Sequence, residues 1–388
     1  MTDFFVDPHA ALAEARAAGP VLDDGIGGVV LRYEDVRATL ADPARFREAF
    51  IDALRLGGVT SGAFHDWMAI SPLDRDGDEH KAWRAVMART FTPRQVEAMR
   101  PAIAARCQEL IDTFPMGEPF DVVAAFAQRL PLDALCALVG VPDGDRDDFR
   151  VWADTIGLGF DILGAGQRID EIDAALEQLL AYTTELVALR TAEPADDLVS
   201  RIAEAAVSGA FTQQEAVSSV AGLVFAGHET TRNQLGTTWV LLATTAGAWD
   251  DVAAGVVEPA AAAEEILRLH GAASAVGRSA TVDTEVGGVA IASGGITRMS
   301  LWSANRDHAA FPAPDRYDPA ANAATPHLAF GHGPHHCLGA ALARVELTEA
   351  VRAWTARLAT PTVLDGVEWR PPIGLTGPAV VPTVVSPR

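Results

Sequence analysis

The chain has 388 residues and carries 52 acidic against 30 basic side chains, a formal net charge of −22. A surface of that sign repels nucleic acid and anionic membranes, which excludes both as partners. Three widely spaced cysteines, Cys107, Cys136 and Cys337, do not make a disulfide framework and point to a reducing, cytoplasmic setting. The N-terminal stretch MTDFFVDPHAALAEARAAG lacks the basic-then-apolar order of a signal peptide, and no apolar run of about 18 residues offers a membrane span.

In chain order, GGVVLRY, ending at Tyr33, predicts a strand, and DVRATLADP a helix after it. From about residue 79 to 189 long Ala-, Leu-, Glu- and Arg-rich stretches predict helices. Thr212 followed by Glu215 is a capping box, the clearest helix start in the sequence. The helix it opens carries Val217, Val220, Ala221 and Val224 at helical spacing, is apolar nearly all round, and is expected in the interior as far as Leu242 or beyond. After Arg278 the texture changes. TVDTEVGGVAIASGG predicts strands and turns, a proline-rich irregular stretch follows, and the tail beyond Trp369 returns to short strands. The expected architecture is one mainly α domain over 1–388, with helical cores at about 79–270 and 337–358 and smaller β-rich parts near 25–35, 278–300 and 365–388.

Three stretches suggest chemistry. AGHETT (226–231) puts a glycine, a glutamate and two threonines inside an otherwise apolar helix. The glycine alone costs about 1 kcal/mol relative to alanine, and a buried glutamate needs a partner. A local groove with Glu229 and Thr230 as a proton-handling pair stands level with a solvent-facing glutamate beside incidental threonines. EEILR puts Glu265 and Arg268 on one helix face. Such pairs are mostly structural, and here a buried bidentate pair would pin a loop, with Arg316 of PDRYDP as a third member. FGHGPHHCLG (330–339) sets Cys337 at the mouth of a helix behind glycines. A zinc site would want a second cysteine or a matching histidine pair, and no base or orienter for a cysteine nucleophile is at hand. A buried inert cysteine is the general default. A helix-terminal thiolate serving as the axial ligand of a haem also explains the glycines, which would let the backbone approach a flat ligand.

Taken together these stretches resemble the cytochrome P450 family. Phe330, Gly331, Gly333, His335, Cys337 and Gly339 match every fixed position of its haem-binding signature. Ala226-Gly227-His228-Glu229-Thr230 resembles its oxygen-activation motif, and Glu265 with Arg268 its E-x-x-R pair. His80 and Arg84 of EHKAWRAVMARTFTP resemble an early helix that holds a haem propionate, and Arg278 of GRSA resembles the strand arginine with the same task. ANRD near Asn305 and PDRYDP near Arg316 fit the bacterial branch, and the resemblance runs from about Val29 to the C-terminus in the family's order. Three departures touch the surroundings of these motifs. LHGAASAVG lacks the proline common between the two arginines, ANRDH replaces ANRDP, and SPLDRDGDEH lacks a double proline.

The resemblance implies the P450 fold and a haem-thiolate monooxygenase of secondary metabolism that activates O2 and oxidises a small organic substrate. It implies haem b ligated by Cys337, propionates held by His80, Arg84, Arg278 and His335, and haem contacts at Ala226, Gly227, Phe330, Gly331 and Gly339. Electrons would come from NAD(P)H through ferredoxin and ferredoxin reductase. Lys81 is the only lysine, so a docking patch for an acidic ferredoxin would be built from arginines such as Arg94 and Arg344. By the same analogy the substrate pocket draws on Phe64, Trp67, Met68, Val224, Ser274, Ala275, Val276, Leu375 and Thr376, and the small Ala272, Ala273 and Ala275 would admit a bulky substrate. The alternatives are a peroxide-using or phenol-coupling haem-thiolate enzyme and a non-catalytic haem-binding protein.

Overall fold

The computed structural model describes residues 2–23, 25, 27–161 and 164–388. Its principal helices are α1 (Pro8–Ala18), α2 (Tyr33–Leu40), α3 (Ala63–Ala69), α4 (Gly77–Thr90), α5 (Pro93–Asp112), α6 (Arg129–Val139), α7 (Arg146–Gly157), α8 (Ile169–Ala192), α9 (Leu198–Val207), α10 (Gln213–Thr244), α11 (Pro259–Leu269) and α12 (Ala340–Arg357). The main strands are β1 (Val21–Asp23), β2 (Gly28–Val30), β3 (Ala275–Ala280) and β4 (Ile296–Ser300). The chain forms two compact units. The first comprises Met1–Phe46, Glu97–Leu130 and Thr230–Arg388, the second Arg47–Val96 and Pro131–Glu229.

In the first unit a mixed sheet places β1, β2, β4 and β3 side by side. β2 runs parallel to β4 with Val30 opposite Met299, and β3 runs antiparallel to β4 with Arg278 opposite Thr297. Its apolar face buries Val30, Val36, Leu40, Met299 and Phe311 in one cluster. A second, aromatic core forms where the C-terminal half of α10 meets α12. Trp239 packs edge-on to Trp354 at 5.0 Å and to Trp249 at 5.4 Å, and Phe126 packs on Trp354 at 5.0 Å. Helices α11 and α12 pack together, and α12 buries Val345, Leu347, Val351 and Trp354. In the second unit α8 is central, covered by α3, α7 and α9, and α9 also packs on α4.

The capping box forms. The Thr212 N–H donates to Glu215 Oε2 at 2.8 Å and the Glu215 N–H to Thr212 Oγ1 at 3.1 Å, and α10 runs unbroken to Thr244. The strand expected to end at Tyr33 is shorter, because β2 stops at Val30 and Tyr33 already opens α2. Within TVDTEVGGVAIASGG, Thr284–Val286 and Val289–Ile291 form a hairpin closed by Gly287 and Gly288, both at positive φ (57° and 85°). Helix α1 is an addition to the sequence-based picture. Its signal was Asp7-Pro8, and the Asp7 carboxylate does cap the helix, accepting from the Ala10 N–H at 3.0 Å.

Helix α1 also delivers His9 to His270, their Nε2 and Nδ1 atoms 2.9 Å apart beside Trp302. The far nitrogens, His9 Nδ1 and His270 Nε2, are buried without a hydrogen-bond partner. Burial first, and then the Arg306 guanidinium, hold the pKa of His9 at about 2 and that of His270 at about 3. Both rings therefore stay neutral in the fold while their unfolded counterparts charge below the usual histidine value of about 6.5. Stability from this pair is complete above that value and is lost as pH falls below it, with up to two protons taken up on unfolding. Thermal unfolding followed from pH 7 to pH 4 should show that slope, and the double substitution His9→Leu, His270→Met should flatten it by nearly two protons.

Candidate functional site

In the first unit the cysteine loop is closed by its own backbone. The Gly331 N–H donates to Leu328 O at 2.9 Å, the His336 N–H to Gly333 O at 3.1 Å, and the Cys337 N–H to Phe330 O at 2.9 Å. Gly331 and Gly333 sit at φ 70° and 74°, a region open to glycine at little cost. Gly333 has a further constraint from within the protein, because a Cβ there would lie 2.3 Å from the Leu40 carbonyl at the end of α2. Gly333, one of the glycines expected to let the backbone approach a flat ligand, also makes room for α2.

Cys337 lies three residues before the 18-residue α12 and its side chain is exposed, whereas Cys107 and Cys136 are buried. Burial, with Glu346 and Glu349 nearby, pushes the Cys107 thiol far up, so it is an inert core residue. Phe330 lies under the Arg344 guanidinium at 4.5 Å. Arg344 is also bound to Glu264 at 2.7 Å, and His327 reaches the same carboxylate at 3.1 Å. Burial would raise the Glu264 pKa, but these two donors outweigh it and hold it at about 2. The Arg344 side chain keeps 39% of its surface exposed. Arg278 on β3 is buried and donates to Gly277 O at 2.7 Å. His335 ends the short 3₁₀ turn Gly333–His335.

The Glu265–Arg268 pair is bidentate and almost fully buried. Arg268 Nε and Nη2 each donate to the Glu265 carboxylate at 2.8 Å. Arg268 Nη1 donates to Asn305 O at 2.8 Å and Pro314 O at 2.7 Å, and Nη2 to Arg316 O at 3.1 Å. Glu265 Oε1 accepts from the Asp318 N–H at 2.9 Å and from Asn322 Nδ2 at 2.8 Å. The pair therefore clamps the segment from Asn305 to Asn322. Arg316 joins it through its carbonyl alone. Its guanidinium is 79% exposed and faces Asp318 at 3.9 Å, so the expected third charged member is a backbone acceptor instead.

In the second unit His80 and Arg84 stand one turn apart on α4. His80 is buried and stacks on Trp83, whose indole N–H donates to Ser219 Oγ at 2.8 Å. Further along, α10 changes character. Ala226 is exposed and Gly227 and Thr230 half-buried, while Phe225, His228 and Glu229 are buried. The open side of Gly227 meets Leu135 of α6, with a Cβ there 3.5 Å from Leu135 Cδ1. Glu229, 2% exposed, joins His228 and Asp154 in a cluster whose ligand atoms all lie within 4.8 Å of one another. Sequence reasoning missed Asp154 and left His228 without a role. Asp154 reads as an ordinary helix-surface acid, whereas His228 lay inside the quoted motif and carried the available signal.

The expected substrate-pocket residues fall in two groups. Phe64, Trp67 and Met68 on α3 are buried, and Phe64 and Trp67 pack edge-on against Phe225 at 6.0 and 5.6 Å; Val224 is buried beside it. In the first unit Ser274 Oγ donates to Gly374 O at 3.2 Å, Ala273 bridges Leu375, and the Thr376 N–H donates to Ala272 O at 2.8 Å. Thr376 Oγ1 donates to Arg370 O at 3.3 Å. Ala275 and Val276 lie in β3 opposite Ser300 and Met299. The backbones of Ala272 and Ala273 are therefore paired with the 374–376 segment.

Residues 260–353 match the family described as Cytochrome P450. Over 384 residues the chain is 32% identical to the luteothin monooxygenase of Streptomyces thioluteus, covering 97% of this chain and 94% of that one. It is 34% identical over 365 residues to the mycinamicin IV hydroxylase/epoxidase of Micromonospora griseorubida, with 92% and 89% covered. The chain belongs to the cytochrome P450 family. The crystal structure of CalO2 superposes with a TM-score of 0.92 at 26% identity, covering 100% of this chain and 98% of that one, so the mainly α architecture with small sheets is the P450 fold. A P450 monooxygenase carries haem with a thiolate ligand, spends O2, and draws its electrons from NAD(P)H through redox partners. Among the described residues of this P450 no helix is long and apolar enough to cross a membrane.

Proposed function

We propose that Cys337 supplies the proximal thiolate of haem b in a monooxygenase acting on a secondary metabolite. The carrying observation is that Cys337, beside the start of α12, is the exposed one of the three cysteines, with the other two thiols buried. The donor set fits the group. The helix N-terminus favours a sulfur anion, while His80, Arg84, Arg278 and His335 would donate to the propionates, and Ala226, Gly227, Phe330, Gly331 and Gly339 would be the contacts of the ring. When bound, the haem activates O2 and transfers one oxygen atom to the substrate. The protein's own share is protons and position. Glu229 would pass protons toward Thr230, its neighbour in sequence, and the Thr230 hydroxyl would hold the last proton for the reaction. Relatives named for luteothin and mycinamicin IV support a secondary-metabolite substrate, with Phe64, Trp67, Met68, Val224, Ser274, Ala275, Val276, Leu375 and Thr376 as its walls.

The redox partners are a ferredoxin and its reductase in the cytoplasm, the ferredoxin meeting exposed arginines such as Arg94 and the open part of Arg344. An affinity for ferredoxin that weakens with salt is the expected sign. Candidate metabolites are to be screened by the absorption shift they cause in the ferric protein. With a ligand so found, Thr230→Ala should lower product formed per NADPH by at least about tenfold and divert the electrons into peroxide. An unchanged coupling ratio would remove Thr230 from proton delivery. Turnover equal with peroxide alone and with the ferredoxin system would favour the peroxide-using alternative.

A further inference from the structure

The Asp154–His228–Glu229 cluster lies wholly within the second unit, and its burial is graded. The Asp154 side chain on α7 is 34% exposed, that of His228 1%, and Glu229 is 2% exposed. His228 Nδ1 approaches Asp154 Oδ1 to 3.4 Å, and one imidazole nitrogen lies within 4.8 Å of an oxygen of each carboxylate. Gly157 at the end of α7 lies against Glu229, and a Cβ there would stand in ordinary van der Waals contact with Glu229 Cγ at 3.5 Å and Cδ at 3.7 Å. A histidine and a glutamate side by side inside a helix are costly to bury. A surface carboxylate reaching in to them has a plain chemical use.

We propose that Asp154 and His228 form the proton entry of this P450, with Asp154 collecting a proton from solvent and His228 relaying it to Glu229. This rests on the reading of Glu229 as the proton donor to Thr230. In each cycle protonated Asp154 gives its proton to the imidazole nitrogen, directly or through one bridging water. The imidazolium gives it to the Glu229 carboxylate, Glu229 passes it on, and all three groups return to their starting charges. No electrons move and no bond other than those to the proton is made or broken. His228 and Asp154 are thus relay residues, not contacts of the substrate. A merely structural contact between α7 and α10 would be satisfied by amides, which keep hydrogen bonding but have no proton to transfer at neutral pH.

The test uses the holoprotein with NADPH, a plant-type [2Fe–2S] ferredoxin and its reductase, following NADPH oxidation in H2O and D2O without added substrate. His228→Gln and Asp154→Asn should each slow oxidation about five- to tenfold and enlarge the solvent isotope effect, while Asp154→Glu restores both. The carbon monoxide spectrum of the reduced protein should stay that of the parent in all three. A second reading needs no turnover. The ring ¹⁵N signals of His228, identified by their loss in His228→Gln, should move in both Asp154→Asn and Glu229→Gln protein. If Glu229→Gln slows oxidation while His228→Gln and Asp154→Asn retain the parent rate and isotope effect, the relay is overturned and the Glu229 reading stands. If Glu229→Gln also leaves both unchanged, that reading falls and the relay with it. Should His228→Gln not fold, Asp154→Asn, on the most exposed member of the three, decides the matter alone.

Discussion

Cys337→Ser is expected to abolish the red-shifted absorption band of the reduced, carbon monoxide-treated holoprotein, and O2-dependent turnover with it. Only a thiolate donates enough electron density to the metal to produce that band and to favour O–O cleavage. The serine hydroxyl is a far weaker donor. The polypeptide itself should barely notice the change. Cys337 is exposed, its N–H bond to Phe330 O is a backbone contact that serine keeps, and the loop's turns are set by Gly331 and Gly333. The unfolding free energy of the haem-free chain should stay within about 0.5 kcal/mol of the parent. Cys107→Ser and Cys136→Ser give the opposite pattern. Both thiols are buried, so a hydroxyl in their place costs stability, on the order of 1–3 kcal/mol if unpaired, yet the band should remain. Absorption spectra of the three variants decide the ligand. A band that survives in Cys337→Ser and vanishes in Cys107→Ser would assign it to the wrong sulfur.

What the sequence conveyed about this site depended on whether the chemistry was local. The cysteine loop, the capping box and the Gly287-Gly288 hairpin are each written in a few adjacent residues whose backbone needs allow few alternatives, and the structure builds all three locally. Glu265 and Arg268 are likewise one helical turn apart. Their partners are not, because Arg268 binds carbonyls about forty residues on, and a carbonyl leaves no trace in residue identity. That is why the sequence offered the Arg316 guanidinium where the structure uses the Arg316 carbonyl. Asp154 was invisible for a related reason. Its meaning comes from the packing of α7 on the second unit's part of α10, and nothing in RDDFRVWADTIG separates it from the other acids of that helix. The close approach of Gly333 to Leu40 O was not legible either, since that atom lies far back in the chain.

Arg268→Ala is expected to cost about 3–5 kcal/mol, enough to deplete folded holoprotein. Glu265 would remain as a buried carboxylate without its cation, and the carbonyls of Asn305, Pro314 and Arg316 would lose their donor together. Arg268→Lys should recover only part of this, because an ammonium cannot span both carboxylate oxygens and still reach the carbonyls of Asn305, Pro314 and Arg316. Glu265→Gln should also destabilise, since it leaves the guanidinium without its counter-charge. The double substitution Glu265→Leu, Arg268→Met tests the source of the cost. Replacing both members of a buried ion pair by apolar residues is often tolerated, but here the carbonyls of Asn305, Pro314 and Arg316 would still lose their donor and the Asp318 N–H its acceptor. The double variant should therefore remain well below the parent. Recovery to parental stability would mean that the pair is only a self-contained ion pair, not a clamp on that segment. Arg316→Ala supplies the complementary arm. Its guanidinium is 79% exposed and its carbonyl survives substitution, so thermal unfolding should shift by no more than about 0.5 kcal/mol. A loss approaching that of Arg268→Ala would restore Arg316 to the charged triad that its position in the sequence first suggested.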